Sequence, residues 1–147
     1  MAADAAPAFR VRVVAWADAA DKLRAVRLAV FVVEQNIPEE LEWDEFDAPS
    51  VHVVAEDAQG APIGCGRLLP DGHIGRMAVL SDWRGRGVGA ALLVRLIELA
   101  RERGDQRVLL KAQTQAMPFY ARYGFAPVGA QFEEAGIAHW TMERAVR

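Results

Sequence analysis

The run Arg84-Gly85-Arg86-Gly87-Val88-Gly89 sets two arginines among three glycines, directly ahead of a long amphipathic segment. Glycines let a backbone come close to a phosphate, and arginines add charge-assisted donors. A helix start supplies unpaired N–H groups and the positive end of a dipole. The six residues read either as an anion-binding turn or as an ordinary tight bend. They are not a P-loop, because no Lys-Ser or Lys-Thr pair follows, and they lack the G-x-G-x-x-G of a dinucleotide fold.

A second cluster, Phe119, Tyr120 and Tyr123, lies on one short segment closed by Gly124. It reads as an aromatic face filling a core, with hydroxyls available for hydrogen bonds. Cys65 sits between Gly64 and Gly66 with no basic neighbour before Arg67, which points to a buried small residue rather than a nucleophile. His52, His73 and His139 are scattered without metal-ligand spacing, so no metal site is expected. Trp16, Trp43, Trp83 and Trp140 are assigned to core or rim, with Trp43 the one placed to flank a ligand.

Charge is unevenly placed. Between Leu28 and Gly66 there is no Lys or Arg but nine acids, seven of them in Glu34 to Asp47, whereas Arg67 to Lys111 carries nine basic residues against five acids. A solvated acidic face and an anion-on-one-wall, cation-on-the-other site both fit that pattern.

The elements that must position these groups follow from periodicity. Phe9 to Trp16 alternates as a half-buried strand, and Asp18 with Asp21 resembles a capped helix start running to about Val33. The segment from Pro38 to Pro49 reads as a loop with one short helical turn. Val51 to Glu56, Ile63 to Leu69 and Ile74 to Leu80 form an antiparallel meander separated by Pro/Gly turns. Val88 to Arg103 is a helix with Leu92, Leu96 and Leu99 inside, stopped by Gly104. Arg107 to Ala112 is a strand, Ala116 to Tyr123 a short helix, and Phe125 to Gly129 and Ile137 to Arg144 two more strands. The order is β-α-β-β-β-α-β-α-β-β, a single α/β domain over residues 1–147 with a mixed sheet and helices on its faces.

Composition bounds the reading. At 147 residues, 52 % apolar and 25 % charged, the chain is an ordinary globule large enough for one core. A net charge of −3 gives no footprint for nucleic acid. No apolar stretch approaches the roughly 20 residues of a membrane span. One cysteine, and an N-terminal stretch with no basic flank before any apolar segment, lead to an expected cytoplasmic location.

With these residues placed, the chain resembles the GCN5-related N-acetyltransferase (GNAT) superfamily. Arg84, Gly87 and Gly89 match its Gln/Arg-x-x-Gly-x-Gly/Ala loop, Ile74-Gly75-Arg76-Met77-Ala78-Val79 its fourth strand, and Phe119-Tyr120-Ala121-Arg122-Tyr123-Gly124-Phe125 its F-Y-x-x-x-G-F motif. Val30-Phe31-Val32-Val33-Glu34-Gln35, Ile74-Gly75-Arg76 and Gly136-Ile137-Ala138-His139 are similar to the ElaA-like branch. The resemblance implies a mixed, mostly antiparallel sheet splayed between strands 4 and 5, with acetyl-CoA as acyl donor lying in the splay. It implies backbone contacts from Met77, Ala78 and Val79 to pantetheine and acetyl carbonyl. It also implies a diphosphate on Arg84, Gly85, Arg86, Gly87, Val88 and Gly89, flanking contacts from Phe119 and Gln113, and Tyr120 as proton donor to the departing thiolate. Gln113 stands where relatives often have Asn, and Gly75 where many carry a Glu base.

A Lys-like amine of pKa ~10.4 is only about one part in 2,500 neutral at pH 7, a cost of roughly 4.6 kcal/mol, so a base is needed. Glu34, Glu42, Asp44, Glu133 and His139 are the candidates, with Glu34 also a candidate for acceptor binding. The expected activity is acetyl transfer to a primary amine of a small molecule, peptide or lysine, the acidic segment favouring a cationic acceptor. A homodimer is compatible with the resemblance. The alternative is a non-catalytic acyl-CoA sensor or interaction domain.

Overall fold

The computed structural model describes residues 8–147; the first seven, on which part of the compartment expectation rests, lie outside the described residues. Seven strands form one sheet in the order β1-β2-β3-β4-β5-β7-β6: β1 (Phe9–Ala15), β2 (Val51–Asp57), β3 (Pro62–Leu68), β4 (His73–Val79), β5 (Arg107–Gln113), β6 (Ala126–Glu134) and β7 (Ile137–Ala145). Every neighbouring pair is antiparallel except β4 with β5. The expected mixed, mostly antiparallel sheet is therefore present, and its one parallel pairing is where the expected splay lies.

The two faces are covered by different helices. On one, α3 (Val88–Glu102) buries Leu92, Leu93, Leu96, Ile97 and Ala100 against Val53, Leu68, Ile74, Val108 and Leu110. On the other, α1 (Trp16–Arg27) buries Leu23 and Val26 against Val54, Cys65 and Ala78. Gly66 is needed for the first of these: a Cβ there would lie 2.8 Å from Leu96 Cδ1, so α3 could not approach β3 as closely. Cys65 points to the α1 face and is buried, its thiol pushed up to about 12 by desolvation, which fits the structural reading and not a nucleophile.

Three expectations are corrected. The first helix starts at Trp16 after Ala15, without a side-chain cap, and Asp18 lies inside its first turn, beside a non-helical Ala19 (φ −138°). Beyond Arg27 the chain continues as a π-helical segment, Leu28–Glu34, instead of an α-helix to Val33. β6 does not end at Gly129; it passes a bulge between Val128 and Phe132, where Gly129 takes φ +76°, and resumes to Glu134. Ala135 and Gly136 then turn with φ +52° and +76°, the positive pair a two-residue I′ hairpin requires. The acidic segment contains one short helix, α2 (Glu39–Glu42), as expected.

Candidate active site

β4 and β5 pair only at His73–Leu109 and Ile74–Leu110. From Gly75 onward β4 is held by β3 alone, and from Lys111 onward β5 by β7 alone. The edges that face each other across this slot carry backbone polar groups without ladder partners, which is what a ligand running between them would satisfy. The local cause is a bulge: the β3–β4 register shifts between Cys65 and Arg67, and Arg76 adopts φ +50°. A left-handed non-glycine residue costs on the order of 1–3 kcal/mol and persists only if held. The Arg76 guanidinium is held by the Glu42 carbonyl at 3.2 Å and by the carboxylates of Glu42 and Asp44 at 3.1 Å.

At the end of β4 a single 3₁₀ turn, Ser81–Trp83, leads into the glycine-arginine loop and then α3. Gly85 and Gly87 take φ +77° and +83°, and a Cβ built on either would meet nothing within 4 Å, so the loop borders an open cradle. No side chain caps α3, which leaves its first-turn N–H groups free to meet an anion. Arg86 stacks on Trp83 at 4.7 Å. Arg84 donates from Nε to the Val79 carbonyl at 3.0 Å and from Nη1 and Nη2 to the two oxygens of Glu34 at 2.7 and 2.6 Å. The residues present thus fit the diphosphate of a CoA thioester.

Tyr120 lies on α4 (Met117–Ala121) and packs against the α3-side core beside Phe119, whose ring is 3.6 Å from where a Gly89 Cβ would be. Burial alone pushes its phenol up to about 12, so it keeps its proton at neutral pH. Gly124, at φ +87°, ends the helix: its N–H reaches the Ala121 carbonyl, and the Phe125 N–H folds back to the Tyr120 carbonyl at 3.3 Å. The ring of Phe125 thereby meets that of Tyr120 edge-on at 6.0 Å. The spacing from Tyr120 to Gly124 and Phe125 is the sequence form of that cap.

Gln113 and His139 are register partners on β5 and β7 and share the face opposite the α3 core. Gln113 exchanges amide hydrogen bonds with Gln35 at 2.9 and 3.3 Å. His139 is buried, stacked on Phe132, with Nδ1 2.7 Å from the Ile137 carbonyl. A carbonyl only accepts, so Nδ1 is the donor of that bond, and a base role for the ring would fall to Nε2.

Four of the seven acids of the acidic segment, Glu34, Glu42, Asp44 and Asp47, are paired with arginines, whereas Glu39, Glu40 and Glu45 are exposed. Arg27 binds Glu42 and Asp47 at 2.8 and 2.7 Å, and Arg67 binds Asp44 and Asp47 at 2.7 and 2.8 Å. With Arg76 this makes three acids matched by three arginines. Burial opposes ionisation of Asp44, but hydrogen bonding and charge from Arg67 and the charge of Arg76 outweigh it and hold its pKa below the usual value. Glu42 and Asp44 thus anchor the loop through their arginine pairs, although burial, outweighing Arg76 and Arg27, raises the pKa of Glu42. Trp43 stacks on Arg27 at 5.2 Å and on Arg24 at 5.8 Å. Glu34 is engaged too: the hydrogen bond from Arg84 holds its carboxyl below the ordinary range, against the effect of burial. Sequence reading missed the roles of Gln35, Arg27, Arg67 and Arg76, whose partners are far away in the chain.

The profile of the acetyltransferase (GNAT) domain matches residues 19–146. The chain belongs to the GNAT family. The uncharacterized N-acetyltransferase YjcF of Bacillus subtilis is 40 % identical over 121 residues, 80 % of this chain and 86 % of that protein. The crystal structure of an acyl-CoA N-acyltransferase from Pseudomonas aeruginosa superposes with a TM-score of 0.83 at 33 % identity, covering 93 % of this chain and 99 % of that one. That of Escherichia coli ElaA gives 0.82 at 30 % identity, covering 92 % and 99 %. The ElaA-like resemblance and the acyltransferase fold both hold, and members of the GNAT family use acyl-CoA as donor. In this GNAT domain Tyr120 packs on the α3 side of the sheet, whereas Gln113, its register partner His139 and the Gln35 bonded to Gln113 lie on the other. Among the described residues no helix is long and apolar enough to cross a membrane.

Proposed function

We propose that this GNAT domain transfers the acetyl group of acetyl-CoA directly to a primary amine of a small molecule, peptide or lysine side chain. The observation that carries the reading is the slot itself, a strand pair opened by the Arg76 bulge that leads to an arginine-glycine loop at a helix start. In this reading the donor lies along β4, with backbone groups of Met77, Ala78 and Val79 meeting pantetheine and the acetyl carbonyl. Arg84 to Gly89 receives the diphosphate, while Phe119 and Gln113 flank the donor. Backbone donors aimed at a developing oxyanion contribute on the order of 3–4 kcal/mol each.

His139 takes the proton of the acceptor amine at Nε2, directly or through water, and Tyr120 returns one to the departing thiolate. His139 is preferred to Glu34 as base because among the described residues its Nε2 has no hydrogen-bond partner to give up, whereas the Glu34 carboxylate is already held by Arg84. Glu133 pairs across the β6–β7 hairpin with Ala138, next to His139, and has no feature that favours it over the imidazole.

A thiol-release assay with acetyl-CoA and a panel of primary amines tests the proposal. Turnover that Tyr120→Phe lowers by about 10²-fold or more supports it. Tight CoA binding without turnover for any amine would instead mark a sensor, and absence of CoA binding an interaction domain.

A further inference from the structure

We propose that Glu34 is an intramolecular occupant of the anion loop, holding Arg84 until the diphosphate of the donor displaces it. The inference rests on the reading of Arg84 to Gly89 as the diphosphate site. Glu34 grips Arg84 fork to fork, the geometry in which a guanidinium also binds phosphate oxygens. With Nε on the Val79 carbonyl and the paired Nη1–Nη2 edge on Glu34, a diphosphate can take that bidentate edge only by replacing Glu34.

The placement of Glu34 is suited to exchange. It ends the π-helical segment, a distortion frequent at functional sites, and Asn36 two residues on takes φ +58°. The next residue, Gln35, is bonded to Gln113 on β5, so two consecutive residues span the slot mouth from the end of β4 to the end of β5. Glu34 also lines an open pocket of about 260 Å³ together with Leu80, Ser81, Asp82 and Trp83, so the carboxylate faces free volume beside Arg84. Both members of the pair are 43 % exposed, so the bond is weak enough for a diphosphate to replace.

A carboxylate that merely braces Arg84 would have the opposite effect on binding, and calorimetric titration of coenzyme A reads the sign. Relative to the unaltered protein, Glu34→Gln should bind coenzyme A about two- to fivefold more tightly, the range that the loss of one exposed ion pair converts to. Arg84→Gln should bind it more weakly. In the Arg84→Gln background, adding Glu34→Gln should bring no further gain. Unchanged or weaker binding by Glu34→Gln, or an undiminished gain in the double variant, overturns the proposal while leaving the diphosphate site standing. Coenzyme A uptake by none of the four proteins overturns the reading of the loop and this proposal with it.

Discussion

The residues proposed to do chemistry differ in what holds them. Tyr120 is held by packing and by the Gly124 cap, and its phenol interacts with no charge; His139 is held by one backbone carbonyl and a stacked ring. Each should therefore be removable without unfolding the chain. Tyr120→Phe keeps the ring contacts and should lower kcat by about 10²-fold or more, the usual contribution of a general acid, with CoA affinity within about twofold. His139→Gln should lower kcat by a similar factor of about 10². Steady-state thiol release together with thermal melting checks both, and a kcat within a factor of about two of the parent would remove that residue from the chemistry. The helix end behind Tyr120 was legible in the sequence because Gly124 and Phe125 are four and five residues away, whereas its role as proton donor came only from the resemblance. The pairings of Glu34 with Arg84 and of Gln35 with Gln113 were not legible, because they join residues 50 and 78 positions apart and exist only once the sheet has formed.

At the level of elements, strands and the long helix were legible from alternation and from the apolar stripe of α3, since burial on one face imposes those periods directly. The π-helical continuation of α1 was not, because a shift from i→i+4 to i→i+5 bonding leaves no period in seven residues. The hairpin of β6 and β7 was misjudged for a related reason: Ala135-Gly136 lacks the Asn or Asp that usually marks a turn with two positive φ values. Loop 36–50 is pinned to α1 by Arg27, which is 1 % exposed and sandwiched between Trp16 and Trp43. Removing that cation leaves Glu42 and Asp47 buried without it, so Arg27→Ala should cost about 3–5 kcal/mol and lower the melting midpoint by roughly 10 °C. A shift of less than about 2 °C would contradict the network's structural role.

At the junction of β1, β2 and α1, Arg12 chiefly, with Lys22, brings the Glu56 carboxyl down to about 2. Its folded pKa is below the unfolded one, so the stability it adds is present above about pH 4.5 and is lost as pH falls toward 2. Because Arg12 and Lys22 are half exposed, that contribution is about 1–2 kcal/mol rather than the full shift. Glu56→Gln should flatten the acid limb of a stability curve between about pH 4.5 and 2. An acid limb identical to the parent's would show that the pair contributes nothing.

For the whole molecule, one sheet is used in two ways. Its closed half, β1 to β3, is packed by helices on both faces, and its open half offers unpaired backbone along a slot whose mouth carries the loop Arg84–Gly89. The account depends on that loop receiving a diphosphate. The most direct measurement is the melting midpoint of the protein titrated with acetyl-CoA. At 100 times the dissociation constant a ligand of the folded state adds about 2.7 kcal/mol, which for a domain of this size is a rise of roughly 5–11 °C, and Arg84→Gln should need more ligand to reach it. A midpoint that does not move at millimolar acetyl-CoA would contradict the account.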